Sequence, residues 1–170
     1  MTAASRYTYL GAAIFAGAAA IAGMLAILVW FPPRPDAQVG IWLWSVARAG
    51  LASGLSAAIS FALLSWAGWR LRSRSAFARA ALLGTVTVIG AHLLVGLVSG
   101  LLMMAETVVF SNSSANGADT ILIVSFFVSL FSFFWILVTV PLGIATAFLV
   151  ESLKSRLVAN KGDDQAKAAE

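Results

Sequence analysis

Apolar residues run almost unbroken from Leu10 to Phe31, from about Ile41 to Trp69, from Ala80 to Ala105 and from Thr120 to Val150. Short segments carrying Pro, Arg, Ser or Asn separate these runs. About 20 apolar residues carry a helix across the hydrocarbon core of a bilayer, so the pattern predicts four spans and an all-α integral membrane protein. The expected architecture is a four-helix transmembrane bundle over residues 1–150, with spans at 10–31, 49–69, 80–105 and 120–150, followed by a charged cytoplasmic tail at 151–170.

Three runs need comment. The first is longer than the ~7 to 15 apolar residues of a signal peptide and has only Arg6 as a basic flank, so it reads as a retained span. The second is trimmed at its start because Trp42 and Trp44 prefer the headgroup level, which would lay the residues before Ala49 along the membrane surface. In the fourth, Pro141 lacks a backbone donor and clashes with the carbonyl one turn earlier, which predicts a kink near Leu137.

Charge sets the orientation. Arg6, Arg70, Arg72, Arg74, Arg79, Lys154, Arg156, Lys161 and Lys167 fall on one side of the predicted membrane, and only Arg34 and Arg48 on the other. Basic residues flanking a span resist translocation, so both termini are expected in the cytoplasm of a bacterial-type inner membrane, with loops 32–40 and 106–119 facing the periplasm. The net charge of +4 expresses this asymmetry. Arg70, Arg72, Arg74 and Arg79 sit at a membrane exit, where anionic lipid headgroups are the nearest partner, and no nucleic acid is expected.

Composition narrows the chemistry. With 61% hydrophobic and 11% charged residues the chain is far from the ~25% charged content of a soluble domain. The absence of cysteine removes thiol redox work, iron–sulfur clusters and thiolate zinc sites, and a single histidine removes a bis-histidine haem. No nucleophile with a base in reach, carboxylate pair, phosphate loop or metal cluster stands out, so no catalytic residue, cofactor or metal is assigned.

Two patterns remain. Small residues mark helix contact faces in lipid, and they recur every fourth position as Gly50, Gly54, Ala58 and Ala62 in the second span and as Gly96 and Gly100 in the third. The fourth span instead crowds Phe126, Phe127, Phe131, Phe133, Phe134 and Trp135 into a short stretch, more rings than one inward face accepts.

The other pattern is polar. Thr85, His92, Ser99 and Glu106 lie seven residues apart, nearly two full turns, and so form a seam along one side of the third span. Ser53, Ser56 and Ser60 in the second span and Ser125, Ser129 and Ser132 in the fourth would complete a polar core if they turned inward together. Glu106 is placed to pair with Arg48, and His92 is read as a neutral imidazole bonded to a neighbouring serine. The function expected is a non-catalytic accessory or scaffold subunit that packs against membrane lipids and against other membrane protein subunits or itself. The alternative is a small oligomeric transporter or channel using His92, Ser99 and Glu106 as its path.

Overall fold

A computed structural model describes residues 3–33, 39–66, 75–109 and 118–167; Arg70, Arg72 and Arg74 lie outside them. The chain forms α1 (Ala3–Trp30), α2 (Val39–Trp66), α3 (Ala76–Val109), α4 (Ala118–Phe133) and α5 (Ile136–Lys167). Four stretches are long and apolar enough to cross a membrane: Tyr7–Trp30, Val39–Ser65, Phe77–Glu106 and Ile136–Leu153. The protein is a multi-pass, all-helical membrane protein over its described residues, consistent with the need for a lipid-embedded backbone to satisfy its own polar groups.

Local chemistry explains the helix ends. α1 stops before Pro32 and Pro33, whose rings disfavour helical geometry in the residue ahead. The Trp42 indole N–H then donates to the Phe31 carbonyl at 2.8 Å, closing the end of α1 against the start of α2. At the start of α3 the Ser75 hydroxyl accepts from the Ala78 N–H at 3.1 Å, an N-cap.

Two expectations are revised. α2 is one continuous helix of 28 residues, so the residues before Ala49 extend its axis and do not turn onto the surface. The Trp42 bond to α1 holds that first stretch upright. The fourth apolar run is two helices, not one kinked helix. Regular structure stops at Phe134 and Trp135, whose N–H groups bond to the third residue back, Phe131 at 3.2 Å and Ser132 at 3.0 Å. Pro141 lies inside α5. The interruption therefore falls ahead of Leu137, where hydroxyls of Ser132 and Thr139 compete for nearby carbonyls.

α1, α2, α3 and α5 close into a ring in which each packs against the next and α5 returns to α1, while α4 packs essentially on α3 alone. Neighbours run antiparallel, because contacts that rise along one helix fall along the other: Gly11 meets Phe61 and Gly50 meets Met24. The centre at one end is filled by Phe61, fully buried and stacked on Phe15 with ring centroids 5.1 Å apart. Ala57, Ala80, Ala147 and Val150 complete that cluster. Gly11 leaves the volume that the Phe61 ring occupies.

The glycine stripes serve contacts within the chain. A Cβ at Gly54 would sit 3.0 Å from the Ala16 carbonyl oxygen of α1, and one at Gly96 would collide with Ser125 and Ser129 of α4. Ala58 is half-buried and Gly100 buried. A further close approach brings backbone against backbone: Gly84 of α3 and Gly143 of α5 face each other, each with a buried alanine four residues away, Ala80 and Ala147. Gly84→Leu is accordingly expected to lower stability in detergent by about 3 kcal/mol or more, since backbone cannot move aside. Gly17→Leu, at a position facing open space, should stay within about 0.5 kcal/mol. Comparable loss at both, read from unfolding midpoints, would contradict this packing.

Candidate functional site at the broken helix

Polar side chains gather where α4 stops and α5 begins. Trp135 acts as the N-cap of α5: its carbonyl accepts from the N–H groups of Val138 at 3.0 Å and Thr139 at 2.9 Å, and from the Thr139 hydroxyl at 2.9 Å. Across from it, His92 Nε2 of α3 lies 2.8 Å from Thr139 Oγ1. A threonine has one hydroxyl proton, and here it goes to the Trp135 carbonyl. The arrangement that satisfies both contacts puts a hydrogen on Nε2, so that His92 donates to Thr139 and Thr139 donates onward to Trp135.

His92 touches both halves of the broken span. Its ring is tilted against Phe133 of α4 with centroids 5.8 Å apart, and its backbone carbonyl lies 3.4 Å from Ser132 Oγ. The Ser132 hydroxyl has a shorter bond to the Ser129 carbonyl at 2.7 Å, so it holds His92 only weakly. The expected serine partner of the imidazole is thus corrected to Thr139. A signal for it was present, since hydroxyls near a proline in a membrane helix commonly serve the backbone groups that the proline disturbs.

The third-span seam does not form a single file. Residues seven apart drift by about 20° per step, so the direction at Glu106 has rotated by about 60° from that at Thr85. His92 meets α4 and α5, whereas Glu106 meets α2, with Arg48 Nη1 3.3 Å from Glu106 Oε2. Both charged side chains are partly exposed, at 33% and 25%. Thr85, two turns before His92, and Ser99, between His92 and Glu106, are half-buried. His92 and Glu106 are about 21 Å apart along the axis, at ~1.5 Å per residue.

The serines divide in the same way. Ser60 donates to the Thr87 carbonyl of α3 at 3.0 Å, Ser56 bonds back to the Ala52 carbonyl at 2.6 Å, and Ser53 lies against Gly23 of α1. Ser125 and Ser129 cover Gly96 on another side of α3. The two sets do not face each other, and the shared polar core expected from spacing is replaced by separate interhelical contacts. Thr87, not singled out by spacing, is fully buried and its hydroxyl has no partner among the described residues. At the opposite end of the bundle the Tyr7 hydroxyl donates to Glu151 Oε1 at 2.9 Å, joining α1 to α5 across 144 positions of sequence. Arg79 is exposed at the start of α3.

This is an arrangement for holding helices together. Among the described residues no three His, Asp or Glu side chains converge. The groove beside the break, lined by Leu130, Phe133 and Phe134, is apolar. Comparisons with protein families, with curated proteins and with solved structures find no match for this chain. The Arg48–Glu106 pair is expected to show a coupling of about 0.5–1.5 kcal/mol in a double-mutant cycle of Arg48→Gln and Glu106→Gln, reduced at high salt. Strict additivity of the two stability losses would mean the pair contributes nothing.

Proposed function

We propose that the protein is a non-catalytic accessory or scaffold subunit of a bacterial-type inner-membrane assembly, with both termini in the cytoplasm, that packs against other membrane helices through α4. The observation that carries this reading is a continuous strip of rings that runs along α4 and onto Phe134 at its end. Phe126 and Phe127 are 5.9 Å apart, Phe127 and Phe131 6.5 Å, and Phe131 and Phe134 6.2 Å, and all four rings are exposed. Rings that already touch one another have few rotamers to lose on association and present a large contact area, which suits them to binding a partner helix. α4 is also the helix with the fewest neighbours inside the chain, so most of its surface is free for another protein or for lipid.

The transporter alternative draws support from His92, the ionisable group deepest in α3, but its hydrogen bonds lead to a threonine and a backbone carbonyl and not to Glu106. A polar path would have to bridge those two groups. Placement of the cationic Arg70, Arg72, Arg74 and Arg79 at the lipid headgroups completes the proposed setting.

The test is purification in mild detergent followed by native mass spectrometry, with photo-crosslinking residues at Phe127 and Phe131. The expected result is a complex with one or more different membrane subunits, crosslinked from α4 but not from Leu55 on the exposed face of α2. A homo-oligomer that carries protons or ions in liposomes would overturn the reading in favour of the transporter.

A further inference from the structure

The two halves of the fourth span are gripped unequally. α5 is held from two directions: α3 meets it through Gly84 against Gly143 and through Phe77 and Phe148, whose ring centroids are 5.4 Å apart. α1 meets it through Tyr7 and Glu151, and meets the residue just ahead of it through Trp30 against Trp135, edge-on at 5.9 Å. α4 rests essentially on α3 alone. Its contact there is made where Ser125 and Ser129 close over Gly96 and where Phe133 meets the His92 ring.

Between the halves the backbone passes through Phe134 and Trp135, whose N–H groups bond three residues back. The ladder of bonds to the fourth residue back, which stiffens an α-helix, is interrupted there. A short interruption between two stiff helices, with one helix anchored on two sides and the other on one, is the mechanical description of a hinge. His92 sits at its axis, bonded to Thr139 on the anchored side and in ring contact with Phe133 on the free side.

From this juxtaposition the geometry points to a hinged half-helix: α4 swings as a unit about Phe134–Trp135, off and back onto α3, with the ring contact between His92 and Phe133 as the latch that keeps it closed. Lifting α4 uncovers Gly96 together with the Ser125 and Ser129 groups that close over it, which turns a packed face into a polar cleft within the membrane. The ring of α1, α2, α3 and α5 stays closed throughout, because none of its contacts passes through α4. The inference concerns the inner face of α4 and stands apart from the partner proposed for its outer rings.

The test uses the full chain in lipid nanodiscs. Because the sequence has no cysteine, introduced thiols are the sole labelling sites. Spin labels at Leu28→Cys with Leu122→Cys report α1 against α4, and labels at Leu63→Cys with Leu149→Cys report α2 against α5; all four positions are exposed. In His92→Ala the displaced population of the first pair should rise about three- to tenfold, the ratio expected when the ring contact with Phe133 is lost. The second pair should not change, and His92→Phe, which keeps a ring against Phe133, should restore the original distribution of the first. If His92→Ala fails to fold, Phe133→Ala, which removes the other ring of the contact, carries the same comparison. An unchanged first pair, or equal displacement of both pairs, would overturn the hinge.

Discussion

A helix interrupted among apolar neighbours must complete its hydrogen bonds from protein groups close by, and the packing around α5 is arranged to meet that constraint. The carbonyl of Trp135 receives two backbone donors and the Thr139 hydroxyl, and that hydroxyl in turn accepts from His92. The chain requires α5 to lie close to α3. Gly84 and Gly143 make this possible, since a side chain at either position would separate the two backbones and carry Thr139 away from the imidazole. A glycine contact two turns from His92 thus sets whether the break can be repaired at all.

Much of the architecture was legible because lipid imposes a simple rule on sequence. Long charge-free runs pointed to an all-helical chain with four stretches long and apolar enough to cross a membrane, and Gly50, Gly54 and Gly96 lie where neighbouring helices come close. What escaped was non-local. Gly84 and Gly143 each have a buried alanine four residues away, Ala80 and Ala147, but that these two faces meet each other is decided by the fold. Tyr7 and Glu151 are joined across nearly the whole chain. Pro141 announced a disturbance in the fourth run, but its place was decided by hydroxyls competing for carbonyls around Ser132 and Thr139, a tertiary outcome that proline alone does not specify.

The polar seam shows the limit of periodicity in another way. A seven-residue repeat looks like one face on paper, yet the drift of a straight helix sends its members to different neighbours: His92 to the broken span and Glu106 to Arg48. The serines expected to converge face different neighbours, Ser53 towards α1 and Ser60, Ser125 and Ser129 towards α3, each tied to a nearby backbone carbonyl or seated against a glycine. Their shared work is cohesion. With the polar groups turned to internal contacts, the distinctive outward feature left to the molecule is the strip of rings on α4, which is why the proposed role is one of association and not of transport.

The central claim is that His92 donates through Nε2 into the broken span. It is the only histidine in the sequence, so nitrogen-15 labelled histidine gives one imidazole in a solid-state NMR spectrum of the protein in lipid. The account predicts the tautomer with hydrogen on Nε2, coupled through space to Thr139, and a shift of that nitrogen when Thr139→Val removes the acceptor. A hydrogen on Nδ1 with a bare Nε2, or a spectrum indifferent to Thr139→Val, would contradict it.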